Sequence, residues 1–366
     1  MMNPSAGKVS CLTVAPIHAD EARLTKITVC TRPFRAAGPR IEAEPMGNKL
    51  IVHNYGHGGS GWSLSWGSGE AALKLALAGR DPAHTDLAVI GCGALGLTAA
   101  ILAQRAGCRS VTIYAKDLPT ETRSFRATGS WTPDSRLALA SAASPAFANR
   151  WEQMTRTSWW QFQALLAEPQ SPVSFNDRYT PSDLHPDAFD RKRCATNPLG
   201  FAILRDHAAD LSRQAEDFGP GSHPFSTAWV RRRPEMMFDI THLVARLTHE
   251  FRRHGGVLES REFHAPTDLL ALAQPVILHC TGYAARRLFG DDSLVPVRGQ
   301  IGWLPAQSEV NYGLFVDDLI ILARPDGIVV QNGHHSDTTG WNDEDEVPDS
   351  AETQASLQQL RTLFEP

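Results

Sequence analysis

The chain has 366 residues, of which 42% are hydrophobic and 20% charged, an ordinary globular composition whose length suits two domains better than one core. Its net charge of -5 gives no reason to expect nucleic acid or an acidic membrane surface as a partner. The six cysteines form no CxxC pair and the histidines have no metal-ligand spacing, so we expect reduced thiols and no metal. Since no apolar run approaches a membrane span and the first residues lack a signal-peptide core, we expect a cytoplasmic protein.

The first ninety residues combine strand-like segments with a glycine-rich turn. A strand is predicted at KITVC, and an arginine- and proline-rich stretch, TRPFRAAGPR, follows it. Residues 48–70 hold another strand, a glycine-dense turn and the start of a helix, which we expect to end at Gly79. After the linker RDPAHT, the mostly apolar residues of DLAVI predict a buried strand that ends at a glycine.

A strand–helix–strand unit begins at DLAVI and continues through the turn GCGALG, the helix LTAAILAQRAG and the buried strand SVTIYA. Its length of about thirty residues suits a parallel crossover. A helix is predicted over residues 146–166, whereas residues 168–225 are rich in Pro, Asp and Ser, which indicates a loop-rich region. Beyond a helix over residues 240–256, we expect the strand QPVILHCTG, three antiparallel strands and a closing amphipathic helix.

The turn GCGALG fits the GxGxxG pattern with Gly91, Gly93 and Gly96. The first glycine permits a sharp turn, the second a close approach to a pyrophosphate, and the third close packing of helix on strand. The phosphates would lie at a helix N-terminus, where free N–H groups favour negative charge. Asp117 lies 117 − 96 = 21 positions after the last glycine, near the offset of a ribose-binding acid, and Lys116 beside it suits a phosphate or solvent. This context predicts a dinucleotide site.

Five segments of the chain resemble the D-amino-acid oxidase family. They are YAKDLPTETRSFRATGSWTP, HCTGYAARRLFGDDSLVPVRGQ, LIILARPDGIVV, TRPFRAAGPRIEAE and HNYGHGGSGWSLSWG. The last two are similar to the signature near the C-terminus of that family, and they are the most specific. The resemblance covers most of the chain except the loop-rich middle, and it implies FAD as the cofactor.

The order of these segments differs from that of the family. There the last two segments follow the hairpin and the final helix, whereas here they precede GCGALG, so we predict a circular permutation. The resemblance implies an α/β and α+β fold, in which a Rossmann-type FAD-binding domain is interleaved with a mixed or antiparallel-sheet substrate-binding domain. The predicted ranges are 48–135 and 228–290 for the first domain, and 1–47, 136–227 and 291–366 for the second.

The resemblance implies three groups of cofactor-binding residues. One holds the pyrophosphate and ribose, one lines the flavin with its backbone, and one is a glycine turn whose backbone donors approach the pyrimidine end of the ring. We expect His57 in that turn to bond the backbone. The three groups are Gly91, Gly93, Gly96, Lys116 and Asp117; Arg126, Ala127, Gly129, Ser130 and Trp131; and Gly58, Gly59, Gly61, Trp62 and Ser63.

On the substrate side, Arg32 matches the carboxylate-binding arginine of the family, and a guanidinium fixes a carboxylate through two parallel bonds. Ile320 stands where the family has a tyrosine over the substrate, and Tyr312 lies in the loop that matches the family's lid. Either His334 or His335 falls where relatives contact the substrate side chain. Since neighbouring residues of a strand point to opposite faces, we expect at most one of the two histidines to face the pocket.

Together these residues predict FAD-dependent oxidation of the amine carbon of an amino acid to an imino acid, by hydride transfer to the flavin and with O2 as acceptor. The departures at Ile320 and at the two histidines leave open a related tailoring oxidase or dehydrogenase for an unusual biosynthetic amino acid. A flavin-binding protein without turnover is a further alternative, although Arg32 argues against it. The sequence leaves open the stereochemistry of the substrate and whether the chain forms a homodimer.

Overall fold

In a computed structural model of the protein, residues 11–188, 197–317, 319–332 and 338–364 are described, and they form two β-sheets with helices around them. The strands are β1 (Lys26–Arg35), β2 (Arg40–Met46), β3 (Lys49–Tyr55), β4 (Asp86–Ile90), β5 (Ser110–Ala115), β6 (Val173–Ser182), β7 (Glu216–Phe218), β8 (Trp229–Phe238), β9 (Val257–Ser260), β10 (Val276–His279), β11 (Leu294–Leu304), β12 (Gly313–Val316), β13 (Leu319–Arg324) and β14 (Gly327–Asn332). The α-helices are α1 (Gly61–Ala76), α2 (Ala94–Arg105), α3 (Pro145–Leu165), α4 (Ile240–Arg253), α5 (Ala285–Phe289) and α6 (Ser350–Thr362). None of these helices is long and apolar enough to cross a membrane.

The smaller sheet has the strand order β2-β3-β10-β4-β5-β9, and its neighbouring strands are parallel except for β2 with β3. Helices α1, α2 and α4 cover one face, where Leu97, Ile101 and Phe251 belong to the same core as Val89. Because its central strands are buried on both faces, β4 is a continuous apolar run rather than an alternating one. The chain leaves β4 for β5 on one side and later returns to β10 on the other. Such a switch point opens a crevice at the carboxyl ends of the strands.

The larger sheet has the strand order β1-β11-β14-β13-β12-β6-β8-β7, and it is antiparallel except between β12 and β6. The longest pairings join β1 to β11 and β6 to β8, each over ten residues. Helix α6 packs against this sheet through Leu357 and Leu360, which share a core cluster with Ile328 and Val330 of β14. The sheet therefore forms a second layer with a core of its own.

The structure confirms the predicted fold class and the strand–helix–strand unit, which is β4, α2 and β5. The prediction of a loop-rich region over residues 168–225 is wrong in part, because β6 and β7 lie there. Most residues of β6 are half-buried and do not alternate between buried and exposed, so the sequence carries no period-two signal for this strand. The helix predicted over residues 146–166 is confirmed as α3.

Candidate functional site

A cavity of about 820 Å³ lies between the two sheets, at the carboxyl ends of β4, β5 and β10. Residues that follow these strands form one side of it, and residues of β1, β13 and β14 form the other. The volume lies within the range of roughly 300–1,000 Å³ that is typical of ligand and cofactor sites. The predicted cofactor-binding residues all line this cavity except Gly96 and Trp131.

Three glycines shape the turn between β4 and α2. Gly91 has a φ of 101°, and a Cβ on it would lie 2.7 Å from the carbonyl oxygen of Cys280. Gly96 does not line the cavity because it packs beneath the turn, where a Cβ would lie 1.9 Å from the Gly91 oxygen. Gly93 is the N-cap of α2, whose first residue, Ala94, lines the cavity. The N-terminus of α2 therefore faces the cavity and favours an anion there.

Ser124 connects the beginnings of α1 and α2. Its hydroxyl oxygen accepts a hydrogen bond from the Ala94 N–H at 3.1 Å, and its carbonyl accepts one from the indole N–H of Trp62 at 2.8 Å. Nearby, the Ser63 hydroxyl accepts from the Thr132 N–H at 2.8 Å. Sequence reasoning missed Ser124, since the contacts that define its role join residues 30 and 62 positions apart. The one signal for it is its place in the segment that resembles the oxidase family.

The glycine turn before α1 reaches the same cavity, but its N–H groups are used within the protein. Gly58 donates to the Pro33 carbonyl at 2.8 Å, and Gly59 donates to the Ser135 carbonyl at 2.9 Å. A Cβ on Gly58, whose φ is 53°, would lie 1.9 Å from the backbone oxygen of Arg136. These two glycines therefore allow close packing of the turn, and they do not supply the donors that the sequence suggested.

The first turn of α1 instead supplies N–H groups that have no partner within the helix. Gly61, Trp62 and Ser63 begin the helix and line the cavity, and the first N–H groups of a helix have no partner within it. A Cβ on Gly61 would meet no atom within 4 Å, so this residue borders open space. Two helix N-termini, those of α1 and α2, therefore lie along one cavity.

His57 lines the cavity and is almost fully buried. Its Nε2 lies 2.8 Å from the Ser68 hydroxyl, which itself donates to the Asn54 side-chain oxygen, so Nε2 of His57 carries the proton. Burial lowers the pKa of His57 to about 3, which keeps the ring neutral. Its Nδ1 is therefore an acceptor, and this buried atom has no hydrogen-bond partner among the described residues. His57 thus bonds a side chain, not the backbone that the sequence suggested.

Lys116 and Asp117 line the far end of the cavity, after β5. The Cys92 thiol donates to the Asp117 carbonyl at 3.1 Å, which ties this end to the glycine turn. Burial and the Asp117 charge raise the pKa of Cys92 to about 12, so the thiol stays protonated. Arg261, which follows β9, lines the same end. Among the described residues, no group of three or more His, Cys, Asp or Glu side chains could hold a metal.

The segment from Arg126 to Trp131 crosses the middle of the cavity. Arg126, Ala127, Gly129 and Ser130 line it, and a Cβ on Gly129 would lie 2.5 Å from a backbone oxygen of β8. Trp131 does not line the cavity, because its ring packs against aromatic rings of α3 and β8. These neighbours are Trp159, Phe162 and Phe238, with ring centroids at 5.3, 6.1 and 6.4 Å. Trp131 is therefore half-buried and packs against the core of the smaller sheet.

Glu346 is an acidic centre beside the cavity that sequence reasoning missed. Its carboxylate accepts hydrogen bonds from Arg123 at 2.5 Å, Arg126 at 3.0 Å and the Thr31 hydroxyl at 3.0 Å. Burial tends to raise the pKa of Glu346, but the bonds and charges of its partners lower it below the ordinary value. Because all three partners line the cavity, this carboxylate fixes the wall around them.

Arg32 lines the cavity from β1 and is half-buried. One of its guanidinium nitrogens donates to the Arg298 carbonyl at 3.2 Å. The guanidinium lies over Gly299, where a Cβ would come within 2.2 Å of Nη2. Within the described part of the chain, no carboxylate pairs with Arg32, so most of its donors remain available to a ligand.

Ile320 and Gln331 are cross-strand partners on β13 and β14, and both line the cavity. The Thr128 hydroxyl, which also lines it, donates to the side-chain oxygen of Gln331. The wall at this end thus pairs an aliphatic group with an amide.

The structure does not bring Tyr312 to the cavity. Its ring is buried in the core of the larger sheet, 5.5 Å from that of Tyr179, and its hydroxyl donates to the Ala15 carbonyl. A substrate-binding role for Tyr312 is therefore not supported, because the hydroxyl is already bonded. The predicted substrate residues His334 and His335 lie outside the described residues.

Comparison with known proteins agrees with this fold. A family model described as FAD dependent oxidoreductase matches residues 86–366, so the glycine turn before α1 lies outside the match. A D-amino-acid oxidase of Dictyostelium discoideum is 24% identical over 232 residues, 59% of this chain and 56% of the relative. A D-amino-acid oxidase of Streptomyces coelicolor is 29% identical over 222 residues, 60% of this chain and 59% of the relative. The chain thus spans little more than half the length of these relatives.

Among solved structures, the glycine oxidase of Geobacillus kaustophilus superimposes with a TM-score of 0.55 at 15% sequence identity. The likeness covers 76% of this chain and 78% of that one. At this identity the likeness shows the fold alone.

Proposed function

Because the chain belongs to the family of FAD-dependent oxidoreductases, we propose that it oxidises the amine carbon of an amino acid to an imino acid, with FAD as the hydride acceptor. The observation that carries the proposal is Arg32, whose guanidinium lies in the cavity that two helix N-termini share and has no carboxylate partner among the described residues. Hydrolysis of the imino acid would release a 2-oxo acid. O2 would then reoxidise the reduced flavin and produce hydrogen peroxide. The relatives named as oxidases favour O2 as this acceptor.

The cavity fits FAD in charge and in hydrogen-bonding groups. The N-terminus of α2 suits a pyrophosphate, and the N–H groups in the first turn of α1 suit the carbonyl-bearing edge of the flavin ring. The orphaned Nδ1 of His57 needs a donor, and a flavin with its ribityl chain carries both N–H and O–H groups. The open space in front of Gly61 leaves room for a flat ring. When bound, FAD supplies the redox chemistry.

The protein's own contribution is orientation of the substrate. We propose that Arg32 binds the substrate carboxylate through two parallel hydrogen bonds, which fix direction as well as charge. Its bond to the Arg298 carbonyl and its contact with Gly299 hold the guanidinium in place. The substrate must then lose a proton from its ammonium group, and such positioning lowers the barrier without a protein base.

A second candidate is oxidation of an unusual biosynthetic amino acid by the same chemistry. It is favoured by Ile320, which lines the cavity where the resemblance implies a tyrosine. Gln331 and Thr128 line the cavity beside Ile320 and contribute an amide and a hydroxyl. None of these three side chains is aromatic. Such a wall favours a substrate side chain with a polar group.

Anaerobic mixing of the FAD-loaded protein with D- and L-amino acids, and with the matching amines that lack the carboxylate, tests the proposal. We expect some amino acids to reduce the flavin while their amines do so far more slowly. The variant Arg32→Ala should lose roughly tenfold to a hundredfold in kcat/KM. Arg35→Ala is the matched control, because Arg35 lies on the same strand but pairs with Asp291 away from the cavity. Equal effects of the two variants would contradict the role of Arg32.

A further inference from the structure

A line of hydrogen bonds runs from the edge strand β2 to the cavity through two buried histidines. Glu44 on β2 contacts Nε2 of His53 on β3 at 3.0 Å. Nδ1 of His53 lies 2.9 Å from Nδ1 of His279 on β10, its direct partner in the parallel register. Nε2 of His279 then lies 2.6 Å from the Thr281 hydroxyl. Thr281 lines the cavity, and its Cα is the third atom that a Cβ on Gly91 would meet, at 3.4 Å.

The surroundings of the histidine pair keep both rings neutral. Neither ring is exposed, and the ring of Phe289 packs 4.4 Å from His279 and 4.8 Å from His53. Burial lowers the pKa of His279 well below its ordinary value, and burial with the charge of Arg40 lowers the pKa of His53. For Glu44, burial acts to raise the pKa, but the bond from His53 and the Arg40 charge lower it, so the carboxylate is ionised.

These protonation states allow one direction of donation along the line. An ionised Glu44 can only accept, so Nε2 of His53 carries the proton and Nδ1 of His53 is an acceptor. His279 must therefore donate from Nδ1, which leaves its Nε2 without a proton. The Thr281 hydroxyl must then donate its proton to His279, so toward the cavity its oxygen can only accept a hydrogen bond.

We propose that the His53–His279 pair, directed by Glu44, holds the Thr281 hydroxyl as an acceptor toward the cavity, where it binds a sugar-type hydroxyl of the cofactor. A phosphate oxygen cannot take that place, because it accepts hydrogen bonds and has no proton to donate. This inference rests on the proposed binding of FAD, whose ribityl chain and ribose both carry hydroxyl groups. The two histidines and Glu44 are positioning residues, since they act through Thr281.

The tautomers can be read directly from long-range 1H–15N spectra of the FAD-free protein labelled with 15N-histidine, with His53→Gln and His279→Gln variants for assignment. We expect the proton of His53 on Nε2 and that of His279 on Nδ1. Either histidine in the opposite tautomer would overturn the inference. This measurement does not depend on FAD, so it remains decisive even if the proposed function fails.

Titration of FAD fluorescence tests the role in binding. Loss of one hydrogen bond should weaken FAD binding about threefold to tenfold in Thr281→Val, whereas Thr281→Ser should keep wild-type affinity. Glu44→Gln should also weaken binding, because an amide can donate to His53 as well as accept from it, and it should have no further effect in the Thr281→Val background. Glu42→Gln is the matched control, since Glu42 lies opposite His53 on the neighbouring strand, but its carboxylate bonds Arg40 and, among the described residues, has no hydrogen bond to the His53 ring.

Displacement by FMN, which has the ribityl chain alone, and by ADP, which has the ribose alone, identifies the hydroxyl group. The fragment that carries the hydroxyl bound by Thr281 should bind more weakly to Thr281→Val than to wild type, whereas the other fragment should bind both equally. If wild-type protein bound FAD but neither Thr281→Val nor Glu44→Gln weakened binding, the inference would be overturned and the proposed function would stand. Wild-type protein that took up no FAD would instead refute the proposed function.

Discussion

Gly299→Ala is a sharp test of how Arg32 is held, because the substitution reaches the guanidinium without touching the cavity directly. Gly299 lies on β11, opposite β1, and its φ is not in the left-handed region. A Cβ on it would lie 2.2 Å from Nη2 of Arg32, 2.4 Å from Cζ and 2.5 Å from Nη1. The nearest atoms all belong to the far end of a flexible side chain, so the backbone can stay in place while the guanidinium moves.

The size of the effect follows from these distances. Ordinary van der Waals contact begins at 3.4 Å, so Nη2 of Arg32 must move by at least 3.4 − 2.2 = 1.2 Å. A displacement of about 1 Å in a positioning group can cost roughly a hundredfold in rate. That factor corresponds to about 2.7 kcal/mol of transition-state stabilisation. The free energy of unfolding should change by less than about 1 kcal/mol, since alanine is the better residue in a strand by a similar amount.

Steady-state kinetics, FAD titration and thermal unfolding separate the possible outcomes. We expect Gly299→Ala to lower kcat/KM toward the best amino acid about a hundredfold, with unchanged FAD affinity. Gly302→Ala is the matched control, because Gly302 lies on the same strand and its Cβ would instead meet the methyl group of Thr353. Unchanged kcat/KM in Gly299→Ala would refute the idea that the position of Arg32 limits the reaction. Loss of FAD would show that the guanidinium has another role.

Three further changes test other parts of the site. Gly58→Ala should lower the free energy of unfolding by at least about 2 kcal/mol and abolish FAD binding. The reason is that the φ of Gly58 is 53° and a Cβ there would clash with the Arg136 backbone. Denaturant titration measures the loss of stability. Tyr312→Phe should lower the free energy of unfolding by about 1 kcal/mol and leave kcat/KM unchanged. A large decrease in kcat/KM would show that Tyr312 acts in the substrate site. Since the pKa of Glu346 is lowered in the fold, its contribution is present above the ordinary carboxyl pKa of 4.5 and lost as pH falls through the folded value. Urea unfolding should therefore show that wild type and Glu346→Gln differ more in free energy of unfolding at about pH 7 than below about pH 4. A difference that does not change with pH would contradict this.

The strand–helix–strand unit could be predicted from sequence because its signals are local. A buried strand, three glycines at fixed spacing and a helix lie within thirty residues, and each glycine is needed for contacts within that unit or beside it. The role of Gly58 and Gly59 was harder to predict, since their N–H groups bond Pro33 and Ser135, which are distant in sequence. A glycine-rich turn indicates close approach, but it does not tell which partner approaches.

Other features of the site depend wholly on tertiary contacts. The His53–His279 pair joins residues 226 positions apart, and the bond from Thr31 to Glu346 spans 315. Tyr312 lies in the loop that the resemblance assigns to the lid, yet its hydroxyl reaches Ala15, a contact across 297 positions. No local pattern encodes such pairings, so sequence reasoning could name the residue types without knowing which of them meet.

The circular permutation and the predicted domain boundaries stay predictions. Two observations support the permutation. The strand β3 precedes β4 in the chain, yet it pairs with β10, and the turn after it meets the same cavity as GCGALG. Val14 and Ile17 also share a hydrophobic cluster with Leu360 and Leu363, so the segments that a permutation would reconnect lie close together.

In the proposed function, FAD binds in this cavity and oxidises an amino acid that is bound through its carboxylate. The most direct measurement is the visible absorption spectrum of the FAD-loaded protein during anaerobic addition of single amino acids. We predict a bound-flavin spectrum that bleaches with at least one amino acid and recovers when O2 is admitted. A protein that takes up no FAD, or one whose bound flavin no amino acid reduces, would contradict the proposed function.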